Sequence, residues 1–259
     1  MLGIAIILPI VYAFLAGFKD DIAFDSYPPT FLPQSFHYLE NFKTVLFHSL
    51  IPRFMLNSLI IAVGATCVRI ILSTLAAYSF AFFEFPGKKF MFFFVLGTMM
   101  IPPEVIIITN FLTITKLSLT DTYLGIAVVY FVSATQVFML RQSFKTISAS
   151  LREAAFLDGC SDLYFYFRIC LPVSKPVITS LALSSFVNIW NTYLWPLLVT
   201  NKPEMRTVQV GITMLSFPES PSKAPIFAGI AVTLIPSILI FAFFQRNLVH
   251  GMSQGAVKG

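Results

Sequence analysis

The chain has 259 residues, of which 57% are hydrophobic and only 11% charged, with a mean hydropathy of +0.82 and a formal net charge of +5. A soluble domain carries roughly 25% charged residues to cover its surface, so this composition excludes one and indicates a single all-α, membrane-embedded domain over residues 1–259. The positive charge is spread along the chain, which suits loops beside anionic lipid headgroups and excludes a nucleic-acid partner.

A bilayer core of about 30 Å takes roughly 20 helical residues. Apolar runs of this kind lie at Leu2–Phe18, Phe54–Phe83, Phe90–Leu112, Thr122–Leu140, Val177–Thr200 and Ile226–Phe244, which predicts a polytopic protein of six transmembrane helices with its core at 54–245. The first run is short, with no Lys or Arg ahead of it and no small-residue cleavage site behind it, so it reads as a first span and not a signal peptide. Pro28-Pro29 and Pro33 then mark an extended loop, followed by a short amphipathic piece around Tyr38–Phe47.

The second run carries Arg69 near its middle, and the third carries Glu104 just after Pro102-Pro103. Ionisable groups at that depth are costly and face a polar cavity or one another. Two expectations follow: Arg69 and Glu104 pair, or Glu104 faces a translocation path where the proline pair unwinds the helix. Moving the helix ends by one turn would instead place either residue beside the headgroups.

The fourth run holds Ser133, Thr135 and Gln136, and the fifth holds Asn188, Trp190 and Asn191. Hydrogen-bonding side chains with an aromatic face are what a sugar path needs. The same residue types also bond across neighbouring spans as packing groups. Glu104, Gln136, Asn188, Trp190 and Asn191 are therefore candidates for a substrate path, with helix packing as the alternative.

Between the fourth and fifth runs lies a charged segment, residues 148–172. Ser150-Leu151-Arg152-Glu153 has the form of a capping box, Ser150 accepting from the backbone of Glu153 while the Glu153 carboxylate reaches back to the Ser150 amide. Gly159 can take the left-handed conformation that stops the helix, and Ser161 or Asp162 can cap a second short helix through Phe165-Tyr166-Phe167 before Pro172. The result is a helix–turn–helix knob outside the membrane. Its apolar residues, among them Leu151, Ala154, Ala155, Leu157 and Leu163, alternate with charge, as in an element docked in a partner's groove. Read generically, it is a connecting loop in which Glu153 does no more than cap.

Six spans put both termini on one side. The connections and tail on the side of the charged segment hold nine basic and four acidic residues, against seven and seven on the other side, which places that segment and both termini in the cytoplasm. Several chemistries are absent. There is no G-x-x-x-x-G-K-[ST] phosphate loop, His37, His48 and His250 are scattered, and Cys67, Cys160 and Cys170 have neither C-x-x-C nor metal spacing.

The run Glu153-Ala154-Ala155, three residues, Gly159, then Ile169 and Leu171-Pro172 resembles the EAA signature of ABC-importer permeases, with Cys160 where alanine is commoner. Asn57-Ser58-Leu59, Phe85-Pro86-Gly87, Asn191-Thr192-Tyr193-Leu194-Trp195-Pro196, Thr207-Val208, Phe244-Gln245-Arg246 and the terminal Gly255–Gly259 extend the resemblance over nearly the whole chain. The chain is most similar to the second permease of the carbohydrate-uptake branch, the maltose and glycerol-3-phosphate type.

That resemblance implies a type I ABC importer permease in a bacterial or archaeal inner membrane. Its partners would be a second permease subunit, two ATPase subunits and an external solute-binding protein. The chain would bind no cofactor of its own, ATP and Mg being held by the ATPase, and it would be no enzyme. The signature segment would be the coupling helix seated in the ATPase, with Glu153, Ala154, Ala155, Asp158, Gly159, Leu171 and Pro172 at or beside the contact. The cargo would be a sugar or oligosaccharide, the alternative being glycerol-3-phosphate or another small solute. Read from residues alone, an ion-coupled secondary transporter using Arg69 and Glu104 remains a rival, and an intramembrane enzyme a more distant one.

Overall fold

A computed structural model describes residues 2–27, 30–33, 39–214 and 223–256. Among the described residues every regular element is helical. In chain order they are α1 (Leu2–Ala16), α2 (Leu39–Phe47), α3 (Ile51–Phe82), α4 (Lys88–Thr98), α5 (Pro103–Lys116), α6 (Tyr123–Ala127) and α7 (Ala134–Lys145). Then follow α8 (Ala149–Leu157), α9 (Asp162–Phe165), α10 (Leu171–Val173), α11 (Lys175–Trp190), α12 (Leu194–Val199), α13 (Val208–Met214) and α14 (Lys223–Ala256). The expected loop prolines Pro28-Pro29, the residues His37 and Tyr38, and the terminal Val257–Gly259 lie outside the described residues.

Among the described residues one helix, α3, is long and apolar enough to cross a membrane unaided, and the number rises to four if each bent helix pair counts as one span. The breaks fall where the sequence supplies a reason. The third expected span ends as α4 at Thr98 and resumes as α5 at Pro103, turning through 97°. Pro102 and Pro103 have no N–H to donate, and residues before proline are driven to extended conformations, as Pro102 is with φ −61° and ψ 135°. Glu104 is thus in the first turn of α5 and exposed, not in mid-helix. The fourth span breaks at Phe131–Ser133 and the fifth at Asn191–Tyr193.

The chain forms two compact units. The first comprises residues 1–60, 120–126 and 190–242. Here Asn57 is fully buried and holds the connection before α13: its amide donates to the carbonyls of Glu204 (2.8 Å) and Arg206 (2.9 Å), and its oxygen accepts from the Tyr123 hydroxyl (2.7 Å). Ser58 beside it accepts from the Val208 amide (2.9 Å), which gives α13 a cap from α3. Asp121, at φ 57°, accepts from the amides of Asn201 (2.6 Å) and Lys202 (2.9 Å). Gly211 lies against Phe54 so closely that a Cβ there would sit 1.9 Å from the ring. Trp195 is buried and donates to the Ile126 carbonyl (3.1 Å).

The second unit comprises residues 61–119, 127–189 and 243–259. Its core joins Ala77 and Tyr78 of α3, Leu140 and Phe144 of α7, and Phe165, Tyr166 and Cys170. Ile71, Leu72 and Leu75 on α3 are exposed apolar side chains outside that core.

Candidate functional site

The charged segment is built on the second unit. Helix α8 begins two residues earlier than the capping-box expectation: Ser148, with φ −63° and ψ 142°, is the N-cap and accepts from the Leu151 amide (3.3 Å). Ser150 lies inside the helix, where its hydroxyl donates to Ser148 Oγ (3.3 Å). The earlier start wins because Ser148 supplies an equally good acceptor before a longer run of helix formers. Glu153 is therefore exposed rather than occupied as a cap.

The other end follows the expectation. Gly159 takes φ +82°, its amide bonds the Phe156 carbonyl (3.0 Å), and the Cys160 amide bonds that of Ala155 (3.0 Å), which is the paired bonding of a Schellman stop. Ser161 then caps α9, accepting from the Tyr164 amide (3.3 Å). Tyr166–Cys170 form one wide π turn before α10, and α10 meets α11 at Ser174 in a 76° bend.

Several contacts fix this knob to α3. Thr74 Oγ1 and the Tyr166 hydroxyl are 2.8 Å apart and buried, and the Tyr78 hydroxyl donates to the Asp162 carbonyl (3.2 Å) and carboxylate (3.3 Å). Arg152 pairs with Asp162 at 3.6 Å while its guanidinium lies over the Phe82 and Phe156 rings, 5.2 and 5.1 Å from their centroids. Ala155 packs into the core. The sequence reading missed Thr74, Tyr78 and Arg152. The available signals were the i,i+4 spacing of Thr74 with Tyr78 on one face of α3 and of Arg152 with Phe156 on α8.

With its inner face so anchored, the knob turns apolar side chains outward: Leu157 is 89% exposed, Leu163 68% and Phe167 60%. On the same segment Glu153, Ala154, Asp158 and Pro172 are exposed and Leu171 is half-buried, while Phe167 lines a groove with Ile70, Ile71 and Leu75 of α3. Ala149, Arg152, Glu153, Phe156 and Leu157 together line a shallow recess. A surface of this kind, apolar residues ringed by charge on a rigid support, is suited to seat in a protein groove.

The intramembrane pairing of Arg69 with Glu104 is not formed. The Arg69 Nε donates to the Tyr130 carbonyl, and one of its terminal nitrogens reaches Ser185 Oγ at 3.5 Å. The Tyr130 carbonyl stands just before the break at Phe131–Ser133, where the helical ladder is interrupted. In a membrane such a group must be satisfied from within the protein. Ser133 treats the other side of the break, capping α7 by accepting from the Gln136 amide (3.4 Å).

The path candidates divide. Gln136 is buried, donating to the Leu181 carbonyl (3.2 Å) and to Ser185 Oγ, so it ties α7 to α11 as a packing group. Trp190 is 2% exposed. Asn188 is exposed, with a 3.4 Å bond to Ser184, and so is Asn191, which accepts from Gln209 (3.3 Å). Cys170 is buried, Cys67 exposed and Cys160 half-buried, and all three are free thiols.

Comparison with known proteins agrees with this architecture. The family model described as the inner membrane component of binding-protein-dependent transport systems matches residues 69–254. The chain is 36% identical over 261 aligned positions, covering 97% of it and 92% of the relative, to the sn-glycerol-3-phosphate transport system permease protein UgpE of Salmonella choleraesuis. It is 32% identical over 207 positions, 80% of this chain and 74% of the relative, to the arabinooligosaccharides transport system permease protein AraQ of Bacillus subtilis. Among solved structures, a chain of a bacterial ABC transporter involved in the import of the acidic polysaccharide alginate superposes with a TM-score of 0.83 at 23% identity, covering 95% of this chain and 91% of that one. That last likeness is one of fold. The chain belongs to the family of binding-protein-dependent transport system inner membrane components, and it is a permease subunit of an ABC importer and not an enzyme.

Proposed function

We propose that this permease carries a sugar-class solute into the cell and is driven through residues 148–172 by an ATPase seated on its cytoplasmic side. The observation that carries the coupling reading is the contrast within that segment. Its inner face is locked to α3 by Thr74–Tyr166 and Tyr78–Asp162, while Leu157, Leu163 and Phe167 stand exposed with Glu153 and Asp158 beside them. A displacement of the knob is thereby passed to a membrane-spanning helix without slack. Glu153, Ala154, Ala155, Asp158 and Gly159 form the contact strip, Leu171 and Pro172 its exit toward α11.

Both termini and the segment lie in the cytoplasm in this reading, supported by the excess of basic residues on that side. Six spans run through α1, α3, α4 with α5, α6 with α7, α11 with α12, and α14. A second permease completes the path, two ATPase subunits supply the drive, and an external binding protein delivers the cargo. Of the path candidates in the second unit, Asn188 is exposed and Glu104 stands at the unwound proline break, and these two are the ones we assign to the path.

The cargo assignment rests on the relatives, one named for arabinooligosaccharides and the other for sn-glycerol-3-phosphate. Glycerol-3-phosphate is the second reading, favoured by the 36% identity across 97% of the chain. Affinity purification of the tagged chain in mild detergent tests the whole scheme, run beside Gly159→Pro, which removes the left-handed stop. Recovery of an ATPase, a second permease and a binding protein, with the ATPase lost from the variant, is expected, and the ligand held by that binding protein names the cargo. Recovery of the chain alone would overturn the proposal.

A further inference from the structure

Where α3 ends and α4 begins, a groove opens beside α7 within the second unit. Its lining includes Phe80, Glu84, Lys88, Lys89, Arg141 and Lys145, with Phe90 and Phe93 at its mouth. Four cations face one carboxylate across this groove. Glu84 is bonded to Lys88 at 2.9 Å. That bond, and the field of Lys88 and more weakly of Lys89 and Lys145, hold the Glu84 carboxyl below its ordinary range, so these charges converge on one place.

Two further features set the groove apart from an ordinary solvated loop. Lys88 and Lys89 occupy the first turn of α4, which has no acidic residue there and no side-chain cap. The positive end of a helix disfavours cations, and the Glu84 carboxylate paired with Lys88 is the one anion among four cations in the groove lining, which leaves the place net positive. Arg141 is held in the floor of the groove, donating to the Phe80 carbonyl at 3.1 Å with its guanidinium 4.0 Å from the centroid of the Phe92 ring. Beside this cationic floor the helix presents bare aromatic surface: Phe90 is 75% exposed and Phe93 71%.

From this juxtaposition of converging cations and exposed aromatic side chains at the end of a membrane span, we infer that the groove is a binding site for an anionic phospholipid. The headgroup phosphate sits among Lys89, Arg141 and Lys145, Lys88 being held by Glu84 (2.9 Å) and the Phe83 carbonyl (2.7 Å), and the acyl chains run along Phe90 and Phe93. A free inorganic anion would leave the aromatic surface uncovered, and a zwitterionic lipid would leave the excess charge unmatched.

The test uses the intact importer complex in nanodiscs containing equal parts of phosphatidylglycerol and phosphatidylcholine, with bound lipid read by native mass spectrometry. Phosphatidylglycerol should be retained selectively. A Lys89→Gln/Lys145→Gln variant should lower that retention about thirtyfold, taking about 1 kcal/mol for each basic residue near the membrane surface. A Lys116→Gln/Lys202→Gln variant, with the same change in charge elsewhere, should not lower it. Independently of any lysine variant, the fluorescence added by Phe93→Trp should be quenched more by brominated phosphatidylglycerol than by brominated phosphatidylcholine. Equal retention in both double variants, equal loss in both, or cross-linking of the Phe93→Cys variant through that position to a second permease chain would each overturn the site.

Discussion

Gly211 illustrates how little room the first unit leaves. A methyl group at that position meets the Phe54 ring at 1.9 Å, so Gly211→Ala should destabilise the protein by about 1–3 kcal/mol, the usual cost of overpacking. Adding Phe54→Leu should restore part of the loss, as measured by the thermal midpoint of the purified complex; a second substitution that only deepens the loss would contradict the contact. Asp121 makes a pH-dependent counterpart. Desolvation opposes its ionisation, yet the amide donors of Lys202 and Asn201 prevail and hold the carboxyl below its ordinary value. A depressed folded value means the contribution is complete above the unfolded value of about 3.9 and is lost as pH falls through the folded one. The gap in thermal midpoint between wild type and Asp121→Asn should accordingly be widest above about pH 4 and close below it. A gap that widens on acidification would reverse the assignment.

The broken helices carry the next set of consequences. Arg69→Met removes the charged donor that the Tyr130 carbonyl receives from α3, and the expected loss is about 1.5–3 kcal/mol for a hydrogen bond to a charged group. Arg69→Lys should recover part of it, and Glu104→Gln should leave stability unchanged, since Glu104 is exposed on α5. Equal losses for Arg69→Met and Glu104→Gln would bring back the ion pair that the sequence suggested. On α8, Ser148→Ala should raise tryptic cutting at Arg152 and Arg168 through loss of a cap worth about 1 kcal/mol, while Ser150→Ala should not. The proline break was legible because Pro102-Pro103 acts through the backbone alone. The breaks at Phe131–Ser133 and Asn191–Tyr193 were not, because an apolar run gives no local signal of a turn that a distant side chain such as Arg69 makes affordable. The capping box failed because Ser148 and Ser150 are chemically equivalent caps, and the one that adds Ala149 and Ser150 to the helix prevails.

For the molecule as a whole, composition and the Glu153–Pro172 signature were enough to reach the family, since a membrane solvent and a repeated partner contact both act on residue type. Polar roles within the membrane were less legible. Gln136 and Asn188 are both amides or their homologues on polar-bearing spans, yet one is buried in a packing bond and the other exposed. Asn57 and Ser58 fell within the resemblance, but their part in holding the connection before α13 needed three-dimensional placement, because their partners lie some 150 positions along the chain. The central claim is that the knob of residues 148–172 is where the ATPase seats. The most direct measurement is site-specific photo-cross-linking from Leu157, 89% exposed on that knob, in native membranes, with the adduct identified by mass spectrometry. The account predicts an ATPase subunit as the adduct, diminished in Gly159→Pro; an adduct to the external binding protein or to lipid would contradict it.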